Sequence, residues 1–179
     1  MQLKEYQEKV LRTLPYLGSK QLDLIHMVLG MNSEFNEVYQ ATDKINRSEE
    51  LADIAWYLLN YANIQEINLD SFFNFIPDYF YYELKKKNYL EMLQVDISIL
   101  TDYEKKKFAY NKGIENIIIE LQVVKVAERL NDAFAYYKIN CFEAFYKNIA
   151  KLQARYPEKF TEEAANNRDL ETEREILAK

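Results

Sequence analysis

An all-α helical bundle is the fold this sequence predicts, and three observations carry the prediction. Gly and Pro number three each among 179 residues, which leaves few turn signals to punctuate a sheet of short strands. The stretches between them are rich in Leu, Glu, Lys, Ala and Tyr, and their apolar residues recur at helical spacing. Hydrophobic residues make up 49% of the chain, enough for one core in a length too short for two ordinary domains. The expectation is a single domain over 1–179.

The first helix is expected from Leu3 to Leu14, stopped by Pro15 and the "LGSK" turn. A second runs from Gln21 to Asp43 with Gly30 inside it. "KINRSEE" then reads as a connector in which Ser48 is the expected N-cap. The third helix is "EELADIAWYLLNYANI", followed by "EINLDSFF" and Pro77. A segment rich in Tyr and Phe, 78–138, reads as two or three helices broken near "VDISILTD" and Gly113. "CFEAFYKNIAKLQARY" is a helix ended by Pro157, and the tail "EEAANNRDLETEREILAK" is helical over much of its length. One faint echo links "ELADIAWYLLNY" to "RLNDAFAYYKIN", which place Asp53 and Asp132 in the same Leu-x-Asp pattern.

Charge and cysteine content narrow the function classes. A net charge of −6 argues against a broad phosphate-gripping surface for nucleic acid. It also requires a local cationic device for any anionic ligand. The single cysteine, Cys141, excludes an intramolecular disulfide and a multi-cysteine metal site. The opening "MQLKEYQEKVLRTL" lacks the apolar core of a signal peptide, and no run approaches ~18 apolar residues. A soluble cytoplasmic protein without a membrane partner is therefore expected.

"GMNSEFNEVYQA" carries the central signal. Glu34 and Glu37 form an ExxE pair, and Met27, Gly30, Val38 and Ala41 share their stripe on a helical projection. After a gap of twelve residues, Glu50 and Asp53 form an ExxD pair sharing its stripe with Ile54, Tyr57 and Tyr61. Antiparallel helices joined by a short loop would bring the pairs face to face. Four close carboxylates repel one another and are costly to desolvate. A hard divalent cation relieves both problems, since Mg²⁺ takes oxygen ligands and bridges to phosphates. One such pair alone is ordinary on a solvated helix face; two pairs on consecutive packing stripes favour a metal site. With one histidine and one cysteine, zinc is disfavoured.

These residues bear a family resemblance. "LIHMVLGMNSEFNEVYQATDKINRSEELADIAWYLLNYANI" resembles the core of the MazG-like all-α nucleoside triphosphate pyrophosphohydrolases, whose signature is ExxE followed by ExxD on paired helices. "EYQEKVLRT" is similar to the family's first helix, and "NIAKLQARYPEKFTEEAANNRDLETER" resembles the C-terminal segment of small bacterial and phage-type members. The resemblance covers residues 5–75 and 139–175. It divides the domain into a MazG-like core (1–77 and 139–179) and an inserted helical segment (78–138). It implies that Glu34, Glu37, Glu50 and Asp53 bind Mg²⁺, with Mn²⁺ as a possible substitute. It further implies cleavage of a (d)NTP to (d)NMP and pyrophosphate by metal-activated water attack at the α-phosphate. One acid, with Glu37 the first choice, could act as general base; the sequence does not decide which. Where the family often has Gly between the acids, this chain has Asn36 and Ala52. The 78–138 segment either completes a bundle that relatives build by dimerising or shapes the base pocket.

Substrate-binding candidates lie outside the acidic set. Asn148, Lys151 and Arg155 share one face of "NIAKLQARYP", a polar stripe suited to a triphosphate. Arg168 in "NNRD" and Asn46 with Lys44 in the connector are further candidates. Trp56, one turn beyond Asp53, offers a ring on which a base could stack, against the commoner role of a core Trp. His26 reads as a packed histidine, Cys141 lacks a base partner, and "ELKKKNY" reads as a solvated face. Competing functions are a catalytically weak nucleotide- or protein-binding helical module and a phosphoribosyl-ATP pyrophosphohydrolase-like enzyme, which the phage-type tail disfavours. Members commonly form dimers or tetramers, so a homo-oligomer is expected, in a host cytoplasm if the chain is phage-borne.

Overall fold

Asp43 sets the start of the central helix. Its side chain accepts a hydrogen bond from the Asn46 N–H at 2.9 Å, so α3 begins at Lys44 and runs to Gln65. The expected N-cap, Ser48, lies inside that helix. An aspartate one turn earlier satisfies the orphan N–H and places negative charge at the positive end of the helix dipole. The preceding helix accordingly ends at Gln40, and only 41–43 separate the two.

The computed structural model describes residues 3–69 and 88–179. Within them the chain is all-helical, eight helices without a strand: α1 Leu3–Leu11, α2 Lys20–Gln40, α3, α4 Tyr89–Tyr110, α5 Asn116–Tyr136, α6 Cys141–Arg155, α7 Glu162–Asn166 and α8 Leu170–Ala178. The expectations for Pro77 and for the lysines of "ELKKKNY" fall outside the described residues. Among these helices none is long and apolar enough to cross a membrane.

Several boundaries differ from expectation for identifiable reasons. α1 stops at Leu11, after which Arg12, Thr13 and Leu14 continue in tighter i→i−3 turns. "VDISILTD" does not break: it lies within α4, with Ile97 and Leu100 fully buried. The modest propensity cost of β-branched residues is smaller than the gain from burying two apolar side chains. The turn after α4 does fall near Gly113, yet the left-handed residue is Asn111 (φ 47°). Asp169 caps α8 by accepting from the Thr172 N–H at 3.1 Å, which divides the tail into α7 and α8.

α2 and α3 form one hairpin and α4 and α5 a second, with α2 packed on α4 and α3 on α5. α1, α6 and α8 also lie against α3. "LADIAWYLLNYA" is apolar almost all round because α3 is covered on most sides. Leu51, Ile54, Leu58, Leu59 and Tyr61 are all fully buried. The two helices of the first hairpin come very close at Gly30. A Cβ there would lie 2.2 Å from the Tyr57 ring, so glycine is what lets Tyr57 cross α2. Tyr6 of α1 stacks on Phe145 of α6 with ring centroids 4.5 Å apart.

Candidate metal and anion site

Glu34 and Glu37 project from the second half of α2, and Glu49, Glu50 and Asp53 from the start of α3; all five line one cavity of about 330 Å³. One carboxylate oxygen from each of Glu34, Glu50 and Asp53 lies within 4.8 Å of the others. Glu37 stands outside that trio, exposed along the same cavity. Burial, then Asp53 and Glu37, pushes the Glu34 carboxyl up to about 7. Burial, then Asp53 and Glu49, pushes Glu50, which is only 8% exposed, up to about 9. The pair therefore holds protons at neutral pH that ordinary carboxylates have lost. A set of oxygen ligands this close, kept partly neutral by burial and by mutual repulsion, suits a hard divalent cation.

Asp53 is held on both of its oxygens. Lys151 pairs with Oδ2 and Asn148 donates to Oδ1. Tyr6 donates to the Asn148 oxygen at 2.8 Å, fixing that amide's orientation. Lys151 also bonds Glu49 at 3.1 Å and is 1% exposed. Burial alone would lower its pKa, and the charges of Asp53 and Glu49 outweigh that and raise it. Asn148 and Lys151, predicted as an open stripe for a triphosphate, thus stand behind Asp53 and do not line the cavity. Their helix is rotated so that Phe145, Ile149 and Leu152 enter the core, which carries positions 148 and 151 inward with them.

Arg155 and Arg168 do line the cavity, opposite the acids in charge. Arg155 bonds Glu173 in bidentate fashion at 2.7 and 2.6 Å, and Arg168 adds a third bond to the same carboxylate at 2.8 Å. Trp56 contributes an edge to the cavity while its indole N–H donates to Thr13 at 3.0 Å. Tyr57, His26 and Phe160 add ring surface to the wall, beside Leu152 and Ala165. His26 meets Tyr57 edge-on at 5.7 Å, and its buried Nδ1 has no hydrogen-bond partner. Burial lowers the pKa of this imidazole despite the nearby Asp23 charge. Asn46 lies elsewhere: it accepts from Arg174, which also pairs with Asp43 at 2.9 Å. Burial pushes the Cys141 thiol up to about 11, away from the thiolate a nucleophile requires.

Sequence reasoning passed over Glu49, Tyr6 and Glu173. Glu49 precedes Asp53 by four residues, so the two share a helical face, and that spacing was the available signal. Tyr6 is joined to Asn148, 142 residues away, and Glu173 belongs to a strongly charged tail; neither link has a local pattern.

No protein-family model, no curated protein and no solved structure matches this chain.

Proposed function

We propose that this protein is a divalent-cation-dependent nucleoside triphosphate pyrophosphohydrolase of the MazG-like kind, acting with Mg²⁺ and taking Mn²⁺ as a substitute. The observation that carries the reading is the convergence of both acidic pairs with Arg155 and Arg168 on one cavity. The order ExxE, ExxD and the tail "RYPEKFTEEAANNRD" supply the resemblance to that family; the geometry supplies sites of both signs for a metal–triphosphate complex.

Glu34, Glu50 and Asp53 are the residues that would hold the cation, with Glu37 beside them. When bound, a divalent cation offsets the charge of the triphosphate and makes a coordinated water more acidic. Glu37, exposed along the cavity, would accept the proton of the attacking water on a carboxylate oxygen. The water oxygen bonds to the α-phosphorus, and the bond from that phosphorus to the α–β bridging oxygen breaks. Pyrophosphate departs with the bonding electrons, and the two guanidiniums hold its charge. Asn148 and Lys151 keep Asp53 aimed. The wall of Trp56, Tyr57 and Phe160 offers aromatic surface to a nucleobase. Every one of these residues comes from a single chain. The hairpin α4–α5 packs on α2–α3, which supports the alternative in which the inserted segment completes the bundle.

Incubation with each NTP and dNTP plus Mg²⁺, with products separated by ion exchange, tests the reading. Monophosphate and pyrophosphate in equal amounts are expected, and Glu37→Gln is expected to lower kcat by ~100-fold or more, the scale of lost general-base catalysis. Orthophosphate release, or no turnover of any nucleotide, would overturn it.

A further inference from the structure

The C-terminal helix has no acid or base in the cavity, yet it carries the carboxylate on which both cavity arginines converge. The geometry points to Glu173 as a positioning residue that joins Arg155 and Arg168 into one two-guanidinium fork for a polyphosphate, so that α8 completes the anion half of the site. The inference rests on the proposed reading of the cavity as a polyphosphate site and adds what organises its cationic side.

Three features set Glu173 apart from an ordinary surface ion pair. It is 4% exposed, and it does not line the cavity that both arginines line. It therefore grips them from behind. A guanidinium has five N–H donors, and Glu173 engages two on Arg155 and one on Arg168. Donors remain on each fork for a ligand. The arginines also come from separate places, Arg155 from the last turn of α6 and Arg168 from the link between α7 and α8. Two like charges would separate without a shared anion between them. A free arginine must also surrender rotamer entropy when it clamps a ligand, and a fork already fixed has lost that freedom before binding.

α8 is itself fastened next to this point. Arg174, the following residue, pairs with Asp43 at the end of the link between α2 and α3 and bonds Asn46 in the first turn of α3, and Leu177 is buried. The helix thus spans from the acid-bearing hairpin to the arginines, and both anchors follow Glu173 along α8. A competing role is that Glu173 occupies the arginines as a mimic of phosphate and must be displaced. Its burial outside the cavity argues against this, because an incoming phosphate would meet the free edges of the guanidiniums and not the carboxylate.

The test is Glu173→Gln in the full chain, which keeps the shape of the side chain and removes its charge. Binding of inorganic triphosphate with Mn²⁺ present is measured by calorimetry, beside KM and kcat for a turned-over nucleotide. The expected result is weaker triphosphate binding and a higher KM, each by about tenfold or more, the scale of a lost charge-assisted hydrogen bond. kcat should stay within about twofold, and Mn²⁺ alone should bind as in the wild type. In an Arg155→Gln, Arg168→Gln background, adding Glu173→Gln should change triphosphate affinity no further, because the residue acts through the arginines. Unchanged affinity in the single variant, tighter binding, or loss of Mn²⁺ binding together with the fold would each overturn the inference. Triphosphate binding that depends on Glu173 without turnover of any nucleotide would remove only the proposed reaction; turnover indifferent to Glu173 would remove only this inference.

Discussion

The two hairpins of the bundle treat partly buried acid in opposite ways. In α4–α5, Asp96 is answered within the hairpin: Arg129 lies 3.6 Å from it and 3.4 Å from Asp132, and Gln122 donates to Asp96 at 2.9 Å. In α2–α3, the trio Glu34, Glu50 and Asp53 meets no cation from either helix. Among the described residues the lysine that reaches it, Lys151, comes from α6 and pairs with Asp53 and Glu49. The echo between "ELADIAWYLLNY" and "RLNDAFAYYKIN" sharpens the contrast. It aligns Asp53 with Asp132 and sets Arg129 where Glu50 stands. A hairpin that carries its own arginine is electrostatically closed. One that carries a glutamate there keeps a deficit of positive charge, and burial, with the neighbouring carboxylates adding to it, raises the Glu34 and Glu50 carboxyls.

The largest expected effect follows from removing the buried cation. Lys151→Met should cost ~3–5 kcal/mol in urea unfolding, because it leaves Asp53 and Glu49 without their counter-charge. Arg129→Met, at a partly exposed pair, should cost about 1 kcal/mol or less. Equal losses would erase the distinction between the hairpins. Next comes the helix crossing. Gly30→Ala drives a methyl into Tyr57 and should cost ~1–3 kcal/mol, the range for overpacking. Neither α4 nor α5 contains a glycine, so this close approach belongs to the acidic hairpin alone.

Neutralising the acids should act with opposite signs. Without divalent cations, Glu50→Gln is expected to stabilise the protein at pH 9.5 by ~1 kcal/mol, since one pKa unit corresponds to 1.36 kcal/mol. Asp96→Asn should destabilise it slightly. The pH dependence has the same origin. Glu34 and Glu50 titrate at about 7 and about 9 in the folded chain, above the ordinary carboxyl range of the unfolded one. The native state therefore binds more protons between these limits, and metal-free stability should fall as pH rises from about 5 to about 9. Thermal melts in a chelating buffer would show a midpoint that declines across that window. A midpoint that rises there would contradict the burial of these two acids.

Much of this arrangement is legible in the sequence, for reasons that also mark where legibility ends. Helix identity followed from apolar spacing and scarce Gly and Pro. The acid pairs stood out because a three-residue spacing keeps both members on one face, and a short link forces the two faces together. What escaped was set by contacts between distant segments. The inward turn of Asn148 and Lys151 depends on how α6 rolls to bury Phe145 and Ile149, and the hold on Asp53 requires Tyr6 from the other end of the chain. The start of α3 at Asp43 was readable in principle, since Asp is as good a cap as Ser; the choice between them depends on Asp43 also receiving Arg174 of α8.

The central claim is that α2–α3 is completed by a divalent cation. Calorimetric titration of the metal-free protein with Mg²⁺, and with Mn²⁺ in parallel, tests it most directly, with Glu50→Gln and Asp96→Asn as the paired comparison. Saturable binding with release of protons at pH 7.5 is expected, lost in Glu50→Gln and intact in Asp96→Asn. Absence of binding by the wild type, or binding that survives Glu50→Gln unchanged, would contradict it.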